Sequence, residues 1–90
     1  MNDDKEFQES VRFINNLRTD FYTVDERLKL YGLYKQSLFG DNTAQKPYFF
    51  NIKNLNKWNA WKKEFGKSNT EAKLDYINYV QIIRTKILIS

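Results

Sequence analysis

Two tyrosines and a lysine stand close together in the segment LKLYGLYKQ, at Tyr31, Tyr34 and Lys35. Positions three and four apart lie on the same side of an α-helix, so these side chains share one face. Aromatic rings stack on nucleobases, and a lysine ammonium group binds phosphate. Together with the neighbouring leucines, these side chains form a band too wide for one packing face, so part of it is expected to face something other than the core.

A second group of aromatic and basic side chains follows further along the chain. Trp58, Trp61 and Phe65 recur at helical spacing, and Lys53 and Lys57 lie one turn apart along the edge of that stripe. An aromatic stripe with this period is typical of a packed core, so core packing is expected for both tryptophans. A run of charges is usually a solvated face, but these two lysines border aromatic rings.

Gly32 interrupts the helical segment that carries the tyrosines. A glycine inside a helix costs about 1 kcal/mol relative to alanine, so its presence needs a reason. The missing side chain would let a ligand or a neighbouring helix come close, or the glycine is simply tolerated at the surface. The sequence leaves these alternatives open.

The amino-acid composition argues against catalysis. The chain has no histidine and no cysteine, so it lacks the usual neutral-pH general base, the thiol nucleophile and the commonest metal ligands. No Ser-His or Cys-His arrangement is available for hydrolysis. We expect no enzyme activity, no metal and no cofactor.

The sequence also lacks the common targeting signals. Its first residues, MNDDKEFQES, are acidic and have no apolar segment of the kind found in secretory signals. No apolar run approaches the roughly 18 residues of a membrane span. The absence of cysteine fits a reducing compartment. A cytoplasmic protein without stable membrane insertion is expected.

Charge is distributed unevenly along the chain. Residues 1–26 carry three basic and seven acidic side chains, whereas residues 27–67 carry nine and two. A basic, aromatic-rich middle attracts an anion, and the candidates are nucleic acid, an acidic membrane surface and a phosphorylated small molecule. A plain solvated surface is the alternative.

Hydrophobic periodicity predicts an all-α chain of four amphipathic helices in a single domain. Their expected bounds are residues 4–18, 24–39, 52–65 and 69–87. Thr23 with Glu26 and Ser68 with Glu71 form capping boxes that begin the second and fourth helices. Glycines after the second and third helical runs supply their ends. The domain is expected to include the whole chain, residues 1–90.

Two segments fall outside this regular pattern. The connection DNTAQKPYFFN, between the second and third helices, is rich in aromatic residues and is expected to pack over the bundle. The last segment, QIIRTKILIS, is strongly apolar. It is interpreted as an extension of the core, with self-association or a weak membrane contact as the alternative.

The segments LKLYGLYKQSLFGDN, KPYFF, NKWNAW, FG and SNTEAKLDYINYV occur together in this order. From about Phe7 to Val80 the chain thereby resembles the acyl-CoA-binding protein family, also called diazepam-binding inhibitor. The resemblance implies an all-α, four-helix up-down-down-up bundle. It also implies an intracellular carrier or pool former for medium- to long-chain fatty acyl-CoA esters, with the nucleotide at the surface and the acyl chain in a groove.

The resemblance assigns roles by motif position. Tyr34 matches a tyrosine that stacks near the adenine, while Tyr31 and Lys35 match groups that engage the ribose 3′-phosphate. Lys57 matches a phosphate-binding lysine, and Tyr76 a tyrosine of the fourth helix that lines the site. The ligand-binding residues implied in this way are Tyr31, Gly32, Leu33, Tyr34, Lys35, Lys53, Lys57 and Tyr76, together with Asn15, Val11, Leu28 and Trp58.

The first helix departs from the family pattern. Where the family usually has a basic residue, this chain has Asn15, with Arg12 or Arg18 nearby as a substitute. Ser10 and Val11 replace the small residues expected around the ligand, which would narrow the entrance or shift the nucleotide. One residue is also inserted between the first and second helices.

The approach to the third helix differs as well. PYFFNIKNLNKW replaces a Pro-Gly and Gly-Lys-rich segment with Tyr48, Phe50, Asn54 and Leu55. This substitution predicts a more apolar groove wall and favours a different acyl length.

Three functions are therefore compared. The first is a monomeric acyl-CoA carrier, with acyl-CoA-using enzymes as its partners and no nucleic acid bound. The second is a small basic helical nucleic-acid-binding module built on NKWNAWKKEFGK, although arginine is scarce and no helix-turn-helix spacing is present. The third is an acyl-CoA hydrolase, which lacks the required nucleophile and base.

Overall fold

The computed structural model describes residues 2–89, which form four α-helices and one short 3-10 turn. The elements are α1 Asn2–Asn16, the turn Thr19–Phe21, α2 Val24–Phe39, α3 Ile52–Lys62 and α4 Asn69–Ile89. The predicted all-α fold is confirmed, and the predicted bounds of the second helix are matched. Met1 and Ser90, which complete the expected domain of residues 1–90, lie outside the described residues.

α1 and α3 end earlier than the sequence predicts, because a tighter turn closes each of them. The N–H of Leu17 donates to the carbonyl oxygen of Ile14 at 3.1 Å, a bond between residues three apart that does not continue an α-helix. After α3, Glu64 and Phe65 also donate to carbonyls three residues back. Gly66, with φ of 93°, then turns the chain toward α4. Apolar residues continue through both turns, at Leu17 and Phe65, which explains why both predicted ends lie too far along the chain.

Both predicted capping boxes are present. The N–H of Glu26 donates to Oγ1 of Thr23 at 3.0 Å, and the N–H of Thr23 donates back to Oε1 of Glu26 at 2.8 Å. Ser68 and Glu71 exchange the same two bonds at 3.0 and 3.1 Å. Each box satisfies two backbone N–H groups that a helix start leaves without partners.

Contacts between helices give the direction of each one. α1 runs parallel to α4, α2 runs antiparallel to α4, and α3 runs parallel to α2. Between α1 and α4, Asp4 contacts Lys73 and Phe13 contacts Arg84. Between α2 and α4, Glu26 contacts Lys86 and Ser37 contacts Asn69. Between α2 and α3, Tyr31 contacts Lys57 and Lys35 contacts Trp61. The topology is therefore up-down-down-up, as the resemblance implied.

The hydrophobic core lies among α1, α2 and α4. Its buried members are Phe7, Ile14, Leu30, Leu33, Tyr76, Ile77, Val80 and Ile83. The apolar end of α4 only partly extends this core: Ile83 is buried and Ile87 packs against the core, but Ile82, Leu88 and Ile89 are exposed. Within residues 2–89, no helix combines the length and apolar content needed to cross a membrane.

A buried carboxylate joins α2 to the segment that connects α3 and α4. The side chain of Glu64 is only 2% exposed, and its two oxygens accept from the ammonium groups of Lys29 and Lys67, each at 2.8 Å. Lys67 also pairs with Asp75 in α4 at 2.7 Å. Burial alone would raise the pKa of Glu64, but the two lysines outweigh it, so that this pKa lies below its ordinary value.

We expect Glu64→Gln to lower the free energy of unfolding at neutral pH by about 1 to 3 kcal/mol, because the amide replaces two charge-assisted bonds. Since the pKa of Glu64 is lowered in the folded state, its stabilisation is present above the unfolded pKa and is lost as pH falls through the folded one. Urea unfolding between pH 7 and pH 3 should therefore show a flatter acid dependence in the variant. Glu6→Gln, at an exposed position, is the control. Equal pH dependence in the two variants would contradict this assignment.

Candidate ligand-binding site

A cavity of about 400 Å³ opens among α1, α2, α4 and the α1–α2 connection. Its lining combines apolar side chains with four tyrosine rings, one amide and one guanidinium group. The lining residues are Val11, Ile14, Asn15, Tyr22, Arg27, Leu30, Tyr31, Tyr34 and Tyr76. Five of the residues expected at the ligand, namely Val11, Asn15, Tyr31, Tyr34 and Tyr76, are therefore brought together around one space.

The inner tyrosines of this cavity are braced from behind by Phe7. The Phe7 ring stacks on Tyr34 with centroids 6.1 Å apart and meets Tyr76 edge to face at 5.2 Å. Phe7 is itself 1% exposed, so it has no freedom to move away. Its packing fixes the orientation of both tyrosine rings, one from α2 and one from α4.

Tyr76 lines the cavity although 97% of its surface is covered, since it is only 3% exposed. Burial, reinforced by the neighbouring Tyr34 and Tyr22, raises the pKa of Tyr76 above its ordinary value. The phenol therefore keeps its proton at neutral pH. A protonated phenol can donate a hydrogen bond, and it is a poor general base.

Two lysines converge on the ring of Tyr31. The ammonium nitrogen of Lys57 lies 5.7 Å from the ring centroid, and that of Lys35 lies 6.0 Å from it. Lys35 also lies over Phe39 at 4.6 Å and over Trp61 at 5.0 Å. No ion pair among residues 2–89 involves either lysine, so both charges are available to an anion.

Arg27 is a cavity residue that the sequence analysis missed. Its guanidinium carbon lies 5.5 Å from the ring centroid of Tyr22, and both side chains line the cavity. Arg27 stands four residues before Tyr31 on the same helix face, and this spacing could have identified it. Among the lining residues of the cavity, Arg27 is the one with a positive charge.

The predicted substitutes for a basic residue in α1 do not take that place. Arg18 pairs with Asp20 at 2.9 Å and lies over Phe21. Arg12 borders a separate shallow depression with Glu9. Neither arginine lines the cavity, so this expectation is corrected in favour of Arg27.

Gly32 faces α3 rather than the cavity. A Cβ atom at this position would lie 2.2 Å from the carbonyl oxygen of Ala60 and 3.3 Å from the backbone nitrogen of Trp61. Because only glycine avoids this overlap, Gly32 is what lets α2 and α3 approach closely. The neighbouring-helix interpretation is therefore supported, and the surface interpretation is wrong because Gly32 is buried. A ligand contact at Gly32 stays a prediction.

Leu33 is 0% exposed and belongs to the hydrophobic core, and its predicted ligand contact is untested. Leu28 lies outside the tyrosine-lined cavity as well. It borders a second space of about 810 Å³ between α2 and α3, which is lined largely by polar and charged side chains. Lys53 is exposed on the first turn of α3, and its predicted role is untested.

The tryptophans hold the α2–α3 connection and are not members of the core cluster. The indole N–H of Trp58 donates to the carbonyl of Ala44, and that of Trp61 donates to the carbonyl of Gly40, each at 2.8 Å. Asn42 completes this anchor, since its amide donates to the carbonyl of Trp58 at 3.0 Å. The expected core packing of Trp58 and Trp61 is therefore corrected. Trp58 does not line the cavity.

Two further motif residues maintain the fold. Nε2 of Gln36 donates to Oδ1 of Asp41 at 2.8 Å and to the carbonyl of Lys67 at 2.9 Å. The same oxygen of Asp41 accepts from the N–H of Gly66 at 2.8 Å, and this bond is the main reason that the pKa of Asp41 is lowered. These contacts tie the end of α2 to the turn before α4.

The aromatic residues before α3 do not form a wall of the cavity. Tyr48 and Phe50 are exposed and do not line it, Asn54 is exposed, and Leu55 is half-buried. Only the first part of the connection packs on α3. The expectation of a more apolar groove wall is corrected, because these side chains are exposed and do not line the cavity.

Comparison with known proteins places this architecture in one family. The family described as "Acyl CoA binding protein" matches residues 4–80. Acyl-CoA-binding protein 2 of Saccharomyces pastorianus is 46% identical over 80 residues, which cover 89% of this chain and 91% of the relative. Acyl-CoA-binding domain-containing protein 6 of Arabidopsis thaliana is 43% identical over 77 residues, covering 86% and 83%.

Solved structures give the same result. The crystal structure of Oryza sativa Acyl-CoA-Binding Protein 2 has a TM-score of 0.92 and 38% identity, and it covers 98% of this chain and 97% of the rice chain. The solution structure of the acyl CoA binding protein from Babesia bovis has a TM-score of 0.79 and 29% identity, covering 96% and 97%. These similarities give no support to the nucleic-acid-binding alternative.

Proposed function

Since the chain belongs to the acyl-CoA-binding protein family, we propose that it carries medium- to long-chain fatty acyl-CoA esters and maintains an intracellular pool of them. The proposed unit is a single acyl-CoA-binding domain over residues 1–90. It acts as a cytoplasmic monomer that exchanges its ligand with acyl-CoA-using enzymes and catalyses no reaction. The fatty acyl-CoA is its ligand, and it needs no cofactor.

The observation that carries the headgroup assignment is the convergence of Lys35 and Lys57 on Tyr31. CoA carries a ribose 3′-phosphate and a diphosphate. These phosphates are anionic partners for the ammonium groups of Lys35 and Lys57, which form no ion pair among residues 2–89. Each charge-assisted bond to phosphate contributes about 1.5 to 3 kcal/mol. The phenol of Tyr76 adds a neutral donor in the cavity that Tyr31 also lines.

The adenine finds a stacking partner in Tyr34, whose ring is held in place by Phe7. Stacking of a base on an aromatic ring contributes about 1 to 3 kcal/mol. Arg27 and Asn15, which face the same cavity, are placed to bind the diphosphate. The headgroup is thereby recognised by residues of α1, α2 and α4, with Lys57 added from α3.

The acyl chain is assigned to the apolar part of the cavity lining, at Val11, Ile14 and Leu30. The acyl chain can pack on these side chains, which removes its methylene groups from water. Each buried methylene group contributes about 0.8 kcal/mol to the binding free energy. Binding both parts of the ligand is what a carrier requires, because the headgroup provides recognition and the chain provides affinity.

Lys35→Ala and Lys57→Ala are each expected to weaken binding of palmitoyl-CoA by about 10- to 100-fold, the loss of one charge-assisted bond to phosphate. Native mass spectrometry on the wild type and the two variants would measure this loss. Lys5→Ala, at an exposed position of α1, is the matched control and should bind as the wild type does. If neither Lys35→Ala nor Lys57→Ala weakens binding, the headgroup assignment is wrong.

A further inference from the structure

The segment just before α3 exposes an unusual amount of apolar surface. Tyr48, Phe49 and Phe50 are 73%, 84% and 70% exposed, and Ile52, the first residue of α3, is 66% exposed. We call these four residues the aromatic loop. None of them belongs to the core or lines the tyrosine-lined cavity. A contiguous exposed apolar patch of this kind is typical of an interaction surface.

The aromatic loop is an ordered cluster. The rings of Tyr48 and Phe50 stack with centroids 5.5 Å apart and planes within 2° of parallel, and Phe49 meets Phe50 edge to face at 5.7 Å. The N–H of Asn51 donates to the carbonyl of Tyr48 at 3.0 Å and closes the turn. The base of the connection is anchored through Trp58. The rings are therefore presented outward on a fixed support.

The charge around the aromatic loop has a single sign. Residues 42–63 contain five lysines and no aspartate or glutamate. Lys46 precedes the loop and Lys53 follows it, and neither takes part in an ion pair among residues 2–89. A surface that complements this patch must accept aromatic rings and carry negative charge.

We propose that the aromatic loop docks this protein onto the surface of an anionic phospholipid bilayer. Aromatic side chains favour the boundary between headgroups and acyl chains, where the ring is buried and polar groups stay hydrated. Lysines beside them bind the negative headgroups, and each contributes to attachment at the surface. A second copy of the chain is a poor occupant, because it would bring two positively charged patches together.

The aromatic loop lies close to the ligand-binding residues along α3. Ile52 and Lys57 are five residues apart, or about 8 Å along the helix axis, and Lys57 lies over Tyr31 at the cavity. Docking of the aromatic loop would hold Lys57 and Tyr31 near the lipid surface. Loading and unloading of acyl-CoA at the membrane is a consequence that rests on the proposed function, whereas docking itself does not.

The test is sedimentation with vesicles of phosphatidylcholine and phosphatidylserine, compared with vesicles of phosphatidylcholine alone, both without ligand. The wild type is expected to pellet with the anionic vesicles and to be released by salt. The double variant Phe49→Ser, Phe50→Ser should lose about 10-fold or more in partitioning. Phe65→Ser is the matched control, because Phe65 is also an exposed phenylalanine, at 60%, but lies outside the loop.

Two further measurements keep the result unambiguous. Circular dichroism must show the same melting curve for the double variant as for the wild type, and palmitoyl-CoA binding without vesicles tests the proposed function separately. Wild-type binding to neither vesicle, or equal binding of the double variant, overturns the proposal. Concentration-dependent association that the double variant abolishes, without vesicle binding, overturns it in favour of a second copy.

Discussion

A long-chain acyl-CoA is expected to bind this protein at least about 1,000-fold more tightly than free CoA. Each buried methylene contributes about 0.8 kcal/mol, a factor of about 4 in affinity. A chain of a dozen or more carbons therefore gains on the order of 10 kcal/mol before the costs of ordering are subtracted. The apolar lining at Val11, Ile14 and Leu30 is where this gain begins.

Isothermal titration calorimetry with CoA and with acyl-CoAs of increasing length would measure this dependence. Affinity should rise with each added pair of carbons and level off once further methylenes remain in water, so the break identifies the preferred length. Palmitate without CoA is the control for the headgroup, and it should bind far more weakly than palmitoyl-CoA. Affinities for CoA and palmitoyl-CoA within 10-fold of each other would be incompatible with an acyl-chain site.

The helices and the starts of α2 and α4 were predictable because local chemistry determines them. The capping boxes at Thr23 and Ser68 depend only on residues three positions away in the chain, and the core stripe of α1 follows from its period. The ends of α1 and α3 were less predictable. Short i to i+3 turns close them while apolar residues continue, so hydrophobic periodicity carries no signal of the stop.

The candidate site was predictable where side chains share a helix face, and less so where the choice depends on packing between helices. Tyr31 and Tyr34 share the face that opens into the cavity. Whether Gly32 faces a ligand or α3 depends on where Ala60 lies, and that is a tertiary property. Leu33, one residue further, turns away from the cavity into the core.

The aromatic residues also show that a sequence pattern does not determine how a side chain packs. A tryptophan at helical spacing resembles a core residue in sequence. The indole N–H groups of Trp58 and Trp61, however, donate to backbone carbonyls of the α2–α3 connection. Tyr48 and Phe50 were expected to contribute to a groove wall, yet they are exposed. Hydrophobicity alone does not distinguish a core residue from an anchor or an interaction surface, because apolar side chains occur at all three.

Phe7→Ala is expected to lower the free energy of unfolding by about 3 to 5 kcal/mol, the usual cost of removing a buried phenylalanine. Phe7 is 1% exposed and contacts the rings of both Tyr34 and Tyr76. The loss is large for a domain whose total stability is about 5 to 15 kcal/mol. Urea unfolding at pH 7 would measure it, with Phe65→Ala, at an exposed position, as a control that changes stability by less than about 0.5 kcal/mol.

The same substitution should also weaken ligand binding, because the two tyrosines lose the ring that orients them. Phe7→Leu separates the two effects: it fills most of the volume and keeps more stability, but it offers no ring to stack on Tyr34. We therefore expect Phe7→Leu, measured at a temperature where the variant is fully folded, to bind palmitoyl-CoA less tightly than the wild type. If Phe7→Leu keeps wild-type affinity, Phe7 stabilises the bundle without positioning the tyrosines. Other packing contacts within the bundle would then orient the rings of Tyr34 and Tyr76.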